Sequence, residues 1–374
     1  MSFTAIWGQA LAESLPGPLG TGKNKTAVFD VLCPVDGTSI RFRFTNRIGK
    51  KPYKFGAVSV KAGDKVVPLT VDGKNSFKVP VGETLYTDAA EISVKSGEKI
   101  EIRLYFKNSI ADSNCIEPDA YFLKGDVTAE YTLPVVKKNK IIEFAGVYKS
   151  IPSLDRIEVE TEMPCNTIVA FGDSITSMSR WTKPLNQRLC EELGGNYQLV
   201  NSGILGNCLL YSVDNMFKGY FGEKGVVRYD RDVVDYPNLH TVIFALGSND
   251  TSYFDDTTKD VINEDAFKKF VTGMTESLHA KGVRVACQTI SPRKGYFATV
   301  DTPEKEELRV SLNEWIRTCG IFGYVFDANE VVRDPKDHSQ YMKGLHQYDH
   351  LHPSHKGGKL LADSYDLKKL TGEK

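Results

Sequence analysis

The decisive stretch of the chain is Ile168-Val169-Ala170-Phe171-Gly172-Asp173-Ser174-Ile175-Thr176. Its uninterrupted apolar residues predict a strand that is buried on both faces, because a strand with one exposed face would alternate. Gly172 then ends the strand, and Ser174 lies where the next helix is expected to begin. A serine at this place has an exposed hydroxyl and a backbone N–H at a helix N-terminus, which favours negative charge. Asp173 or Ser174 could equally be no more than a helix cap.

Beyond residue 164, continuous apolar runs alternate with amphipathic segments. This alternation predicts a parallel sheet covered by helices on both faces, of the flavodoxin-like doubly wound α/β type. In such a sheet, ligands bind beyond the carboxyl ends of the strands. We expect strands at Thr167–Phe171, Gln198–Asn201, Thr241–Leu246, Arg284–Thr289 and Tyr324–Asp327, and helices at Trp181–Leu193, Phe267–Ala280, Glu304–Cys319 and Ser354–Leu370.

The first 163 residues have a different pattern. Apolar and polar residues alternate with a period of two at Ile40–Phe44, Phe77–Val81 and Ile100–Phe106, and turn sequences separate these runs. Short half-buried strands without helical segments between them predict an antiparallel β-sandwich, of a jelly-roll-like kind. We therefore expect two domains, a jelly-roll-like β-sandwich at 1–163 and the parallel α/β domain at 164–374.

The composition of the chain argues against several classes of protein. The 374 residues include 47 Lys and Arg against 48 Asp and Glu, so no nucleic-acid partner is expected. No apolar run reaches the roughly 18 residues of a spanning helix, and no signal-peptide pattern is present, so no membrane association is expected. The seven cysteines form no Cys-x-x-Cys pair, which predicts free thiols in a reducing compartment. These features predict a cytoplasmic protein.

Two further strand ends carry groups that could surround Ser174. Gly206 follows the second predicted strand, and a glycine lets the backbone approach a ligand closely. Asn249 follows the third strand and offers a side-chain amide at the same edge of the sheet. Each alone would be an ordinary turn, but together with the N–H of Ser174 they are the donors that an oxyanion hole requires.

A serine nucleophile needs a base, and five of the seven histidines lie between His338 and His355. Asp349 precedes His352 by three residues, and on a helical turn this spacing puts both side chains on one side. Asp349 could then hold one imidazole nitrogen while the other faces the serine. The histidines could instead bind a metal, but their spacing matches no standard zinc pattern. We expect no metal and no cofactor.

Several side chains near these turns are candidates for contact with a substrate. Tyr211, Tyr253 and Phe254 follow the strand ends and would line a pocket, together with Asp173. Trp181 could be a platform for a sugar, but it begins an apolar helical stripe and is expected in the core.

Four sequence blocks occur in order: Gly172-Asp173-Ser174, Asn201-x-Gly203-x-x-Gly206, Gly247-x-Asn249-Asp250 and Asp349-x-x-His352. In these blocks, over about residues 167–370, the chain resembles the SGNH (GDSL-like) hydrolase family. The resemblance implies that Ser174 is the nucleophile and that Asp349 and His352 complete a catalytic triad. It also implies that the oxyanion hole consists of the N–H groups of Ser174 and Gly206 and the amide of Asn249.

Other segments are similar to a two-domain branch of that family, which contains acetylxylan-esterase and arylesterase-like proteins. These segments are Arg180-Trp181, Arg228–Val233 and Arg41–Gly49. The resemblance implies a serine esterase acting on acetylated (xylo-)oligosaccharides or another small-molecule ester. The chain could also form a homo-oligomer. The alternatives are an arylesterase or lipase-like acyl hydrolase, and a carbohydrate-binding protein without turnover. Ser177-Met178 replaces the family's usual polar residue and glycine, so the loop beside the nucleophile is expected to differ.

Overall fold

The computed structural model describes residues 1–13, 23–108, 113–129, 150–212, 219–252, 263–297 and 302–373. The chain divides into two compact units. The first is built mainly from Met1–Cys165 and also includes Cys190–Gln198. The second is built from Asn166–Leu189 and from most of the chain after Leu199.

The first unit consists of antiparallel sheets. One has the order β1-β14-β4-β8, with β9 also paired to β4, and a second has the order β12-β3-β10-β5-β6, with β7 also paired to β5. A small sheet contains β13, β11 and β2. The strands are β1 (Ser2–Gly8), β2 (Ala12–Glu13), β3 (Lys25–Leu32), β4 (Gly37–Thr45), β5 (Tyr53–Ala62), β6 (Lys65–Leu69), β7 (Phe77–Val79), β8 (Thr84–Tyr86), β9 (Ala90–Val94), β10 (Lys99–Phe106), β11 (Ser113–Ile116), β12 (Tyr121–Lys124), β13 (Ser150–Pro152) and β14 (Leu154–Thr161).

The two larger sheets share one hydrophobic core. On β4, the buried Phe42 and Phe44 alternate with Arg41 and Arg43, as the period of two predicts. The ring of Phe44 lies 4.7 Å from that of Phe55 on the other sheet. Two sheets that contribute side chains to one core form a β-rich unit, and its jelly-roll topology remains a prediction.

The second unit contains a sheet of order β16-β15-β17-β18-β19, and its β15–β17, β17–β18 and β18–β19 pairs are parallel. Numbered along the chain within this sheet, the order is 2-1-3-4-5, which is the flavodoxin-like order that the sequence predicted. The direction of winding reverses at β15, so the end of this strand is the place where such folds bind ligands. The strands are β15 (Asn166–Gly172), β16 (Tyr197–Gly203), β17 (Leu239–Ala245), β18 (Arg284–Gln288) and β19 (Tyr324–Phe326).

The helices of the second unit differ from expectation near the C-terminus. The single helix expected at Ser354–Leu370 is wrong, because the chain becomes extended at Tyr365. This break allows the buried ring of Tyr365 to stack between Phe326 and Trp181. The fully buried Trp181 is therefore a core residue. The α-helices are Ser174–Ser177, Thr182–Glu192, Gly225–Tyr229, Glu264–Ala280, Pro303–Thr318, Ala328–Val332, His355–Ser364 and Leu367–Thr371, with one π-helical turn at Asp230–Val234.

Among the helices of the described residues, none combines the length and the apolar character that a membrane span requires. The seven cysteines are all free thiols, and six of them are buried.

Candidate active site

The three candidate strand ends meet at one edge of the parallel sheet. β15 ends at Gly172, β16 at Gly203 and β17 at Ala245. These strands are neighbours in the sheet, so their carboxyl ends lie side by side. Ser174, Gly206 and Asn249 each follow one of these ends by a few residues, which brings the three predicted groups to the same edge.

Ser174 is the first residue of the short helix Ser174–Ser177, and Asp173 is its N-cap. The carboxylate of Asp173 accepts a hydrogen bond of 3.0 Å from the N–H of Ile175. A side chain at Gly203 would place its Cβ 2.4 Å from the nitrogen of Ser177, so only glycine lets β16 end this close to the helix. Asp173 is buried and caps the turn that presents Ser174, and its contact with a substrate stays a prediction.

A continuous chain of hydrogen bonds joins the three predicted triad residues. The Nε2 atom of His352 lies 2.7 Å from Oγ of Ser174. The Nδ1 atom of the same ring lies 2.7 Å from Oδ2 of Asp349. A neutral imidazole can donate from Nδ1 to the carboxylate and accept from the serine hydroxyl at Nε2, and this tautomer is assigned from the network. The arrangement allows His352 to take the proton of Ser174.

The segment Asp349–His352 is a bend, so the expected helical turn is wrong. Tyr348 and His350 have positive φ values of 52° and 66°, which a helix does not contain. The chain is held in this shape because Oδ1 of Asp349 accepts hydrogen bonds from the N–H groups of Leu351 and His352, both at 3.0 Å. The two side chains meet through this Asx turn instead of through helical spacing.

Asp349 is suited to remain ionised. Burial alone would raise the pKa of its carboxyl, but the hydrogen bond and charge of His352, with the N–H groups of Leu351 and His352, hold that pKa below its ordinary value. One carboxylate oxygen therefore fixes the bend while the other orients the imidazole.

Gly206 and Asn249, the predicted oxyanion donors that follow β16 and β17, each have a defined local geometry, and their role stays a prediction. Gly206 has a φ of +65°, and a Cβ there would lie 2.3 Å from the ring of Phe221, so glycine is required for both reasons. The Nδ2 atom of Asn249 donates a hydrogen bond of 3.0 Å to the carbonyl oxygen of Asn207. A side-chain amide carries two N–H donors, so the second one remains for an oxyanion.

The fully buried guanidinium of Arg228 hydrogen-bonds to the strand ends that carry these turns. Arg228 donates to the carbonyl oxygens of Gly172 and Ser202, at 2.9 and 2.8 Å. It also donates to Oδ1 of Asn207, at 3.0 Å. The carbonyl oxygen of Asn207 in turn accepts a hydrogen bond from the side-chain amide of Asn249. Arg228 thus connects the ends of β15 and β16 with Asn249, the predicted oxyanion donor that follows β17. The sequence reasoning used Arg228 only as a mark of resemblance, and its fully buried charge is visible only in the folded chain.

Two buried carboxyls lie beside the same turns. Burial raises the pKa of Asp173 to about 7, even though the N–H of Ile175 opposes this shift. Burial likewise raises the pKa of Asp250 to about 6, against the hydrogen bonds from the N–H groups of Leu209 and Leu210. Burial thus shifts the pKa of both carboxyls upward, towards neutral pH.

The aromatic candidates for substrate contact stay predictions. Tyr211 is half-buried after the turn that follows β16, and Tyr253 and Phe254 lie outside the described residues. The sequence reasoning missed Tyr296, whose ring packs edge-to-face against the imidazole of His352 with centroids 5.8 Å apart. Its position after the end of β18 was the only available signal. Within the described part of the chain, no group of three His, Cys, Asp or Glu side chains could hold a metal ion.

A family model described as the GDSL-like lipase/acylhydrolase family matches residues 170–360, which is more than half of the 374-residue chain. Among similar solved structures, a GDSL-like lipase from Bacteroides thetaiotaomicron is 16% identical with a TM-score of 0.41, over 56% of this chain and 91% of that one. An acetyl xylan esterase is 18% identical with a TM-score of 0.39, over 53% of this chain and 96% of that one. A search of curated proteins gives no match. On the extent of the family match, the chain belongs to the GDSL-like lipase/acylhydrolase family.

Proposed function

We propose that this protein is a serine esterase that removes acetyl groups from carbohydrates, with acetylated xylo-oligosaccharides as the model substrate. The observation that carries the proposal is the chain of hydrogen bonds from Asp349 through His352 to Ser174, with 2.7 Å at both links. A protein that only binds carbohydrate has no need of an aligned nucleophile, base and carboxylate.

In the first half of the reaction, Oγ of Ser174 attacks the ester carbonyl carbon and its proton passes to Nε2 of His352. The carbonyl oxygen becomes an oxyanion, which accepts hydrogen bonds from the N–H groups of Ser174 and Gly206 and from Nδ2 of Asn249. The tetrahedral intermediate then collapses, the C–O bond to the alcohol breaks, and His352 gives its proton to the leaving alkoxide oxygen. Asp349 stabilises the imidazolium that exists between these two transfers.

In the second half, a water molecule replaces the alcohol. His352 accepts a proton from the water as its oxygen attacks the acetyl-enzyme, and the same donors hold the second oxyanion. The bond to Oγ of Ser174 then breaks and His352 returns the proton to the serine. Acetic acid leaves, and the resting triad is restored without a metal or cofactor in either step.

The burial of the site and the resemblance to acetylesterases support the preference for acetyl groups. Ser174 and Asn249 are each only 7% exposed, so a small acyl group fits the strand ends better than a long chain. Segments such as Arg180-Trp181 resemble the acetylesterase branch of the family. Free cysteines suit a reducing cytoplasm, where the accessible substrates would be imported oligosaccharides.

The test is a series of esters that differ in acyl length, measured with the intact chain and with Ser174→Ala. We expect kcat/KM to fall steeply from acetyl to butyryl, because a pocket that fits one methyl discriminates by about 1–3 kcal/mol per added methylene. Acetylated xylo-oligosaccharides should be hydrolysed, and Ser174→Ala should abolish the activity. Faster hydrolysis of octanoyl than of acetyl esters would overturn the proposal in favour of a lipase-like enzyme.

A further inference from the structure

Among the described residues, the two most exposed large hydrophobic side chains each lie next in sequence to a residue that contacts His352. Phe297 is 83% exposed and follows Tyr296, whose ring packs against His352. Tyr348 is 87% exposed and precedes Asp349, the carboxylate bound to His352. Single exposed aromatic residues are common on protein surfaces. Two of them on segments that contact the same imidazole indicate a binding surface.

The segment that carries Phe297 is firmly anchored. Arg293 is buried, and its guanidinium donates to Oγ1 and to the carbonyl oxygen of Thr251, at 2.8 and 2.7 Å. One residue further on, Lys294 donates its N–H to Ser339 and pairs with Asp337 at 2.8 Å. Tyr296 and Phe297 therefore start from a fixed backbone, and their rings lie 5.4 Å apart.

The segment that carries Tyr348 has a constrained backbone and packs against the segment that carries Phe297. Tyr348 has a φ of 52°, a left-handed conformation that is uncommon for a large side chain. Such conformations persist where the surrounding structure imposes them, and they cluster at functional sites. The backbone of Gly295 packs against the ring of His350, since a Cβ on that glycine would lie 3.3 Å from Cγ of the imidazole. The two aromatic segments are thus in contact beside His352.

We propose that Tyr296, Phe297 and Tyr348, here named the aromatic rim, bind the alcohol half of the substrate, and that this half is a pyranose ring. This inference rests on the proposed function and adds the part of the substrate that the rim recognises. His352 gives its proton to the leaving alcohol, so the alcohol lies on the histidine side of Ser174, and the rim borders that histidine. The acyl group, in contrast, faces the oxyanion donors at the strand ends.

The chemistry of the rim favours a sugar over an alkyl chain. An aromatic ring offers a flat apolar face for the C–H face of a pyranose, while the sugar hydroxyls point outward to polar partners. Polar groups of that kind lie next to the rim: the Lys294–Asp337 ion pair, Ser339, and the stacked imidazoles of His346 and His350. A lipid chain would leave these groups without hydrogen bonds from the ligand.

Two substrates with the same acyl group test the proposal. Acetylated xylobiose and methyl acetate form the same acetyl-enzyme but release different alcohols. For Phe297→Ala and for Tyr348→Ala, we expect kcat/KM for acetylated xylobiose to fall by about 3- to 10-fold. This fall should come from an increase in KM. We expect kcat/KM for methyl acetate, and the rate of acetyl-enzyme breakdown after a burst with p-nitrophenyl acetate, to stay within 2-fold of the unmodified protein.

Matched variants separate ring recognition from general damage. Phe297→Tyr and Tyr348→Phe keep the aromatic faces and should retain most of the activity on acetylated xylobiose. Phe270→Ala removes another exposed aromatic ring, on the helix Glu264–Ala280, and should change neither substrate. Equal losses on both substrates would overturn the proposal and make the rim a support for His352. A loss confined to aryl acetates would overturn it in favour of an aromatic alcohol.

Binding to Ser174→Ala distinguishes failure of the proposal from failure of the proposed function. If the intact chain hydrolyses no acetyl ester, the proposed function is wrong, but the rim is still tested by titrating xylobiose into Ser174→Ala with and without Tyr348→Ala. A 3- to 10-fold weaker binding in the double variant supports a pyranose site. An unchanged Kd, or no binding to either protein, overturns it.

Discussion

The two units of the chain use buried charge in different ways. In the antiparallel unit, Arg43 and Asp155 form a two-pronged ion pair, with Nε to Oδ1 at 3.1 Å and Nη2 to Oδ2 at 2.7 Å. In the parallel unit, the fully buried Arg228 donates mainly to backbone and amide oxygens, and the nearest oxygen of Asp232 is 3.4 Å away. The first arrangement neutralises two charges locally, whereas the second fixes the strand ends around Ser174.

In the parallel unit, a buried charge organises the backbone in addition to forming an ion pair. Buried charges are ordinarily paired, because an unpaired one is costly to remove from water. At the strand ends of the parallel unit, Arg228 holds main-chain groups, and burial raises the pKa of Asp173 to about 7. Departures of this kind are expected at functional sites, where geometry has priority over stability.

The largest expected effect tests whether the strand-end region is the site at all. Ser174→Ala, His352→Ala and the double variant should each lower kcat by about 10⁴- to 10⁶-fold, and by nearly the same amount, because the residues act as one unit. Steady-state rates on an acetyl ester give the values. His350→Ala is the control and should have a much smaller effect. A double variant that loses the product of the two single losses would contradict the triad.

The next effect concerns the oxyanion donor of β17. Asn249→Ala should lower kcat by about 10²–10³, or about 2.7–4 kcal/mol, with little change in KM. The amide meets negative charge only in the transition state, so ground-state binding is not affected. Separate determination of kcat and KM checks this. A raised KM at normal kcat would instead make Asn249 a substrate contact.

A matched pair of lysine substitutions tests whether Arg228 and Arg43 have different functions. Arg228→Lys keeps the charge but loses the planar fork that reaches Gly172, Ser202 and Asn207, so we expect kcat to fall by about 10- to 100-fold. Arg43→Lys disrupts the ion pair with Asp155 and should lower the free energy of unfolding by about 1–3 kcal/mol while kcat remains normal.

Urea unfolding and active-site titration with a serine-directed phosphonate allow kcat to be expressed per folded site in both lysine variants. Equal falls in kcat for Arg228→Lys and Arg43→Lys would show that the buried Arg228 and the half-buried Arg43 do not differ in function.

The smallest effect is the pH dependence of stability from Asp173. Its folded pKa of about 7 is above the ordinary value of 3.8, so its favourable contribution is complete below 3.8 and is lost as pH rises towards 7. Asp173→Asn keeps the capping oxygen and has no such loss. Between pH 6 and pH 7, the free energy of unfolding of the variant should therefore gain about 1 kcal/mol relative to the unmodified protein.

Asp366→Asn is the control for this pH effect. Asp366 caps the helix Leu367–Thr371, and the hydrogen bond from Lys369 lowers its pKa. Its carboxyl is ionised at pH 6 and at pH 7 in both states, so the difference from the unmodified protein should not change with pH. A constant difference for Asp173→Asn as well would contradict the buried, pH-sensitive carboxyl.

Local patterns predicted most of the parallel unit. A strand buried on both faces must be apolar over consecutive residues, so β15 and β17 were recognisable within a few residues of their ends. Glycines near strand ends were also informative, because glycine is favoured where φ is positive or another group approaches the backbone closely. Gly206 meets both conditions. These features depend on neighbours along the chain, and the sequence contains them directly.

Periodicity along the chain was enough to predict a flavodoxin-like parallel sheet and to place Ser174, Gly206 and Asn249 just after strand ends. How the remaining parts meet depends on contacts that exist only in the folded chain. His352 reaches Ser174 across 178 residues through an Asx turn that helical spacing did not predict. The buried Arg228 hydrogen-bonds to two strand ends only in the folded chain. The ring of Tyr296 likewise packs against His352 only after folding. The reason is physical: hydrogen-bond partners and burial depend on residues far apart in the chain, whereas periodicity depends on adjacent ones.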